Sequence, residues 1–278
     1  MSLKLMYITN EPEIAKIAEV AGVDRIFVDM EYIGKSDRQS GMNTVQNHHT
    51  VEDVKRIKNA VTKAQVLTRI NPIHGAMDGV SSSEEEIDAV IDAGTDVVML
   101  PYFKTVEEVK TFLKFVNGRA ITMLLVETPE AVEVLDEILE LRGIDEIHIG
   151  INDLSLGYGK KFMFEVLADG TVDMLCGKLK AARIMYGFGG IAALGKGLLP
   201  AEYILEEHYR LGSGCVILSR SFCNAEQLEL DEVKEIFETG VKEIRAFETK
   251  CVKFDTEEFL QNQKRVAELV EVIREKIK

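Results

Sequence analysis

The chain has 278 residues, 46% of them hydrophobic and 29% charged, with a formal net charge of −14. That surplus of acid argues against nucleic acid as a partner, since phosphate recognition rests on an excess of Lys and Arg, and no apolar run reaches the roughly 18 to 20 residues of a membrane span. Four cysteines (Cys176, Cys215, Cys223 and Cys251) without CxxC spacing, and no charged-then-apolar leader, lead us to expect reduced, buried thiols in a cytoplasmic protein.

In chain order, β-rich runs are predicted from Leu3 to Ile8, after Ala21-Gly-Val-Asp, from Gln65 to Ile70, after Ala93-Gly-Thr-Asp, from Ala120 to Val126, after Arg142-Gly-Ile-Asp, from Gly187 to Leu194, and after Leu211-Gly-Ser-Gly. The recurring glycine stands where a helix should end, in a left-handed turn that costs glycine no Cβ clash. Helical stretches alternate with these runs, and Thr50, Ser83 and Thr105 are predicted N-caps. Eight strands alternating with helices is the count of a (β/α)8 TIM barrel. A doubly wound open sheet is the alternative, but no GxGxxG follows the first strand. We expect a barrel over residues 1–224 and an additional C-terminal helical extension over 225–278. The last helix carries Phe259, Val266, Leu269, Val270, Ile273 and Ile277 on one face, to be buried on the barrel's own flank or on another chain. Long loops at 34–49 and 73–83, after the second and third strands, are expected to carry function or to contact a neighbouring subunit.

Two acids close β-rich runs at strand-to-helix junctions, where parallel α/β proteins place their chemistry: Glu127, after Ala120-Ile-Thr-Met-Leu-Leu-Val, and Asp153, after Ile147-His-Ile-Gly-Ile-Asn. Carboxylates on successive strands can converge on one hard cation, which prefers oxygen ligands and keeps positions open for water or substrate. Read singly, each is equally an ordinary helix N-terminal acid stabilised by the dipole. At Gly150 the backbone can approach a ligand closely, and successive amides at a helix start can hold a carboxylate.

Five segments, taken together in their order and spacing, resemble the HpcH/HpaI aldolases and their citrate lyase beta-subunit relatives: Val28-Asp-Met-Glu31, Thr68-Arg-Ile-Asn71, Val98-Met-Leu-Pro101, Glu127-Thr-Pro-Glu-Ala-Val and Gly150-Ile-Asn-Asp-Leu-Ser155. The likeness runs over about residues 15 to 222. It implies a metal-dependent class II aldolase that splits a 4-hydroxy-2-oxo acid into pyruvate and an aldehyde. By the same resemblance, Glu127 and Asp153 hold Mg2+ or Mn2+, with Co2+ equally suited to oxygen ligands. Arg69 reaches the keto oxygen, the amides of Asn152 and Asp153 beside Gly150 bind the pyruvate carboxylate, and Asp29 and Glu31 order water near the metal. A homo-oligomer is implied too, a hexamer built from dimers that swap the last barrel helix. From the residues alone, Arg69 can instead be a strand-end arginine in a salt bridge with Glu127 or Asp29.

The chain departs from that pattern in several places. Where the family has Asp-Gly-Glu-His, it reads Asp29-Met-Glu-Tyr32, and a tyrosine with an ordinary pKa of about 10 is a poor base near neutral pH. Tyr32 is left as an acid, a hydroxyl partner or a packing residue, and His48, His49 and His74 are candidates for the missing imidazole. His148 is expected to line the barrel, and His208 to have no part in the site. Leu125 stands where many of these aldolases carry glutamine, and the carboxylate turn reads Gly-Ile-Asn-Asp rather than Gly-Pro-Ala-Asp. Two alternatives stay open: an acyl-thioester lyase, although those relatives continue the fourth strand as Pro-Lys and this chain has Pro101-Tyr-Phe, and a non-catalytic protein binding metal and a 2-oxo acid. Lys196, Ser219 and Arg220 form a candidate site for an acidic substrate tail, by the tendency of barrels to hold phosphate after strands seven and eight.

Overall fold

Wherever a glycine was expected to turn a helix into a strand, it does: Gly22, Gly94, Gly143 and Gly212 have φ of 102°, 102°, 95° and 73°. The computed structural model describes residues 2–34, 49–77 and 79–277. Its strands are β1 (Lys4–Ile8), β2 (Arg25–Asp29), β3 (Gln65–Arg69), β4 (Val97–Leu100), β5 (Ile121–Val126), β6 (Glu146–Ile149), β7 (Met185–Ile191) and β8 (Cys215–Leu218). All pair in parallel with their sequence neighbours, and β8 returns to β1, giving a closed (β/α)8 barrel.

Side chains alternate across each strand, so one set fills the barrel and the other meets the helices. Met6, Phe27, Leu67, Val97, Met99, Met123, Leu125 and Cys215 form the inner cluster. Leu5, Ile26, Val28, Val66, Val98, Leu124 and Ile147 join the larger core between strands and helices. At the N-terminal end of the barrel the inner set turns polar. The Arg25 guanidinium donates to Glu146 Oε2 and Oε1 at 2.5 and 2.7 Å and to Gln65 Oε1 at 2.9 Å, with Lys4 Nζ 3.4 Å from the same carboxylate.

Thr50 and Thr105 cap their helices as expected, each in a reciprocal box with the acid three residues on. The third cap is Ser82 rather than Ser83. Of two adjacent serines, the extended backbone at Ser82 lets its hydroxyl reach the Glu85 amide, while the Ser83 hydroxyl, one residue inside the helix, accepts from the His74 amide at 2.8 Å. The loop at 73–83 is closed by a Met77–Val80 bridge, and both ring nitrogens of His74 lie on carbonyl oxygens, those of Pro72 and Ser81, at 2.7 and 2.8 Å. Most of the other long loop, with His48 in it, lies outside the described residues.

Of the C-terminal helices, Leu230–Cys251 packs on Pro12–Ala21, and Thr256–Lys276 packs on Ala201–Leu211 and Glu165–Ala168. The predicted stripe thus faces the chain's own barrel, with Val266 and Val270 buried and Leu269, Ile273 and Ile277 partly so. A polar residue sits within it: Asn262 is buried and donates to Tyr203 O at 3.0 Å and Glu207 Oε1 at 2.9 Å. Among the described residues no helix is long and apolar enough to cross a membrane.

Candidate functional site

The inward alternation that fills the barrel also delivers the site. Arg25, Phe27 and Asp29 face inward along β2, Gln65, Leu67 and Arg69 along β3, and Met123, Leu125 and then Glu127 along β5. On β6 the same face carries Glu146 and His148, and then Gly150 just beyond the strand. Because Asp29 and Arg69 are register partners, the guanidinium meets the carboxylate edge to edge, Nε and Nη2 each donating over 2.8 Å to one oxygen. Glu31 Oε2 lies 3.4 Å from the same Nε. The salt bridge open to Arg69 from sequence is therefore formed, with Asp29. Burial works against the charge on Arg69, but Asp29, Glu31 and Glu127 together outweigh it and hold its pKa well above the ordinary value. The Asp29 amide donates in turn to His49 Nδ1 at 2.9 Å.

The facing wall is built around Glu127. The Tyr102 amide donates to Glu127 Oε1 at 3.0 Å, from a backbone turned into the left-handed region at φ 49°. A Cβ on residue 150 would come within 2.7 Å of Glu127 Cβ and 2.9 Å of its Oε2, so this junction accepts glycine alone without displacing the acid. Helix Ile151–Gly157 starts immediately after, carrying Asp153 in its first turn with Asn152 Nδ2 donating to Asp153 Oδ1 at 3.0 Å.

Both walls open into one cavity of about 650 Å3, lined by Asp29, Arg69, Glu127, Gly150, Asn152 and Asp153 among others. His49 and Leu125 also line it. Glu31 is not on the lining and adjoins it through Arg69. Tyr32 does not line it: the side chain is 43% exposed, and its amide is spent on Asn71 Oδ1 at 3.0 Å. Of the acidic-tail candidates, Ser219 and Arg220 are on the wall after β8 and Lys196 is not. The sequence reading missed Thr9, Asn10 and Glu11 after β1 and Asn224 to Glu226 after β8, which complete the rim. Their place just past strand ends was the available signal.

His148 forms part of the floor. Its Nε2 lies 3.1 Å from Gly189 O and its Nδ1 3.7 Å from Cys215 Sγ, and burial pushes its pKa down to about 4. His208 is off the cavity, stacked on Phe188 at 3.8 Å and pushed by burial to about 3. Neither is a proton carrier near neutral pH.

Among the described residues no three His, Cys, Asp or Glu side chains converge as a ligand cluster. An all-protein cage, of the kind structural zinc uses, is not offered. Two carboxylates, Glu127 and Asp153, on one cavity are a donor set of the kind that takes a hard divalent cation, which binds through one or two carboxylates and completes its shell with water and substrate oxygens.

Comparison with known proteins bears on the fold and the family. The chain is 23% identical to a 2-keto-3-deoxy-L-rhamnonate aldolase of Escherichia coli, over 52% of this chain and 58% of that one. It is 22% identical to a hydroxypyruvate/pyruvate aldolase of Roseovarius nubinhibens, over 54% and 62%. The match thus spans less than two thirds of either relative. An HpcH/HpaI aldolase from Desulfitobacterium hafniense shares the fold, with a TM-score of 0.58 at 17% identity over 88% of this chain and 93% of that one. Residues 4–166, which include Asp29, Arg69, Glu127 and Asp153, match the family model itself, and by that match the chain belongs to the HpcH/HpaI aldolase/citrate lyase family.

Proposed function

We propose that the protein is a divalent-metal-dependent carbon–carbon lyase that cleaves or forms a 4-hydroxy-2-oxo acid by way of a pyruvate enolate. The observation that carries this reading is the sharing of one strand-end cavity by Glu127, Asp153 and Arg69. The family's named aldolases, acting in their own names on 2-keto-3-deoxy-L-rhamnonate and on hydroxypyruvate or pyruvate, support the reaction class.

Glu127 and Asp153 would hold the ion, which when bound supplies Lewis-acid stabilisation of negative charge on the substrate. Tyr102 and Gly150 fix Glu127 for that task, one through its amide and the other by leaving room. The backbone amides of Asn152 and Asp153, at the start of a helix, would donate to the carboxylate of the 2-oxo acid. Removing a proton from carbon 3, or breaking its bond to carbon 4, puts charge on the keto oxygen. Arg69 answers that charge with a planar guanidinium that never deprotonates, and Asp29 keeps it aimed by the two-pronged contact. Glu31 adds a second anchor on the same nitrogen. Tyr32 is assigned no step.

Proton NMR of pyruvate in D2O tests the reading. With Mg2+ or Mn2+, native protein is expected to exchange the methyl protons; with chelator, or in Glu127→Gln, exchange is expected to fall to background. Pyruvate that binds without exchanging would replace the lyase by a 2-oxo-acid binding protein.

A further inference from the structure

We propose that Phe222 is a positioning residue: seated on Gly240 of the C-terminal extension, it holds the loop after β8 in place as the wall against which the second substrate, an aldehyde, lies. This rests on the lyase reading above. In the closed strand order β1 stands opposite β5 and β8 opposite β4, so the segments after β8 and β1 face Glu127, just past β5, from across the barrel mouth. Ser219, Arg220 and Asn224 are on that far wall. The oxo acid belongs with Glu127, Asp153 and Arg69, and a cavity of about 650 Å3 exceeds a three-carbon acid. The far wall is left for its partner.

That wall is anchored at both ends. The Ser219 amide extends the ladder to Ile191 O at 2.9 Å, and the Ser219 carbonyl accepts from the amides of Phe222 and Cys223 at 2.8 and 3.3 Å, so residues 219–222 make a tight turn with Arg220 as its second residue. Phe222, the last of the four, is buried and is not on the cavity lining. Its ring enters the extension instead, edge-on to Phe237 with centroids 5.4 Å apart, and Phe237 meets Tyr7 of β1 at 4.8 Å. Tyr7 closes the circuit, its hydroxyl donating to Cys223 O at 3.1 Å.

Gly240 makes the seat. It lies inside helix Leu230–Cys251, where glycine is less favourable than alanine, and a Cβ there would come within 2.7 Å of Phe222 Cε2 and 2.9 Å of its Cζ. With Phe237 against the same ring, that methyl could be accommodated only by moving Phe222, and the turn with it. The extension therefore does more than cover the barrel's flank: it sets how far Ser219 and Arg220 stand from Glu127. Their hydroxyl and guanidinium are donors for oxygens on the distant part of a long aldehyde.

Aldehyde length separates positioning from plain stability. In the metal-loaded full chain, at a temperature where circular dichroism shows each variant folded, native protein is expected to have a lower KM for four-carbon D-erythrose than for two-carbon glycolaldehyde in condensation with pyruvate. Gly240→Ala is expected to raise the D-erythrose KM roughly tenfold, while kcat, the glycolaldehyde KM and pyruvate methyl exchange stay within about threefold of native. Adding Phe222→Leu removes Cε2 and Cζ and leaves a carbon at the place of Cδ2, 3.8 Å from the new methyl, so the double variant is expected to return to within about threefold of native. Should Gly240→Ala not fold, Phe222→Leu alone, which adds no atom, is expected to raise the D-erythrose KM about fivefold. Equal losses in exchange and with both aldehydes, no loss at all, or a double variant as impaired as Gly240→Ala would overturn the proposal, as would native protein that exchanges pyruvate protons but takes D-erythrose no better than glycolaldehyde. Native protein that exchanges no pyruvate protons would instead overturn the lyase reading. Amide hydrogen exchange over 219–227 then judges the seat by itself: faster exchange in Gly240→Ala that the double variant restores supports it, and an unchanged segment overturns it.

Discussion

At the N-terminal end of the barrel Arg25 grips Glu146 through two hydrogen bonds, and at the C-terminal end Arg69 grips Asp29 in the same way. The surroundings differ. Around Glu146 the positive charge is in excess, with Lys4 beside Arg25, the third guanidinium bond goes to Gln65, and Arg25 is wholly buried. At Arg69, among the described residues, Asp29, Glu31 and Glu127 all act on one guanidinium, and the group faces a cavity. The one pair is sealed inside the barrel, and the other lies on the wall of the cavity. Carboxylates gathered on a cavity can share a cation.

The largest effect expected of breaking the lower pair is on stability. Arg25→Met leaves Glu146 buried with only the half-exposed Lys4 near it, and we expect a loss of about 3–5 kcal/mol in urea unfolding. Adding Glu146→Leu should return most of it, because neither desolvated charge is then left behind. A single variant as stable as the native protein would deny the lower pair its structural part.

Between the two ends, on the same inward face of β6, His148 gives a way to sharpen the contrast with pH. Burial lowers its pKa from 6.5 to about 4. The unfolded chain takes up the proton near 6.5 and the folded chain not until about 4, so stability is lost as pH falls through that window and is unaffected above it; the full drop is roughly 3 kcal/mol. His208 adds a slope of the same sign. The readout is therefore the difference between native protein and His148→Gln in unfolding free energy at pH 7 and pH 4.5, with the variant expected to be the flatter.

The features that could be read in the sequence are those set by local physics. The helix-ending glycines, the alternating apolar runs and the caps at Thr50 and Thr105 are decided within a few residues, and so the barrel and its strand-end acids were visible. Register is not local. That Arg69 lies level with Asp29, or that Gly150 lies against Glu127, depends on how strands far apart in the chain align. Tyr32 stands where the family has histidine but is not on the cavity lining, and Asn71, just past the next strand, accepts from the amides of Tyr32 and Ile33. His49 enters from the end of a long loop by a contact with backbone, which no side-chain motif encodes.

If Glu127 and Asp153 at the upper end hold a cation, Mn2+ at about 100 times its dissociation constant should raise unfolding free energy by about 2.7 kcal/mol, seen as a higher melting temperature against a chelator control. Glu127→Gln should lose that rise. A metal response surviving Glu127→Gln would move the cation elsewhere.

The smallest effect separates two glycines. At Gly150 an added methyl would press on Glu127 Cβ, which is fixed by the strand and cannot swing away as a side-chain tip could. Gly150→Ala should therefore cost about 1–3 kcal/mol, as overpacking does, and should weaken the Mn2+ response because the carboxylate is pushed from its place. Gly177 lies in helix Thr171–Ala182, where an added methyl would meet nothing within 4 Å, and its φ is not positive. Gly177→Ala should stabilise by about 0.4–1 kcal/mol, chiefly by narrowing the unfolded ensemble, with the metal response intact. Opposite signs from one substitution, read in the same melting experiment, would tie the cost at residue 150 to Glu127; equal signs would mean that the junction relaxes and that its glycine is not what holds the acid in place.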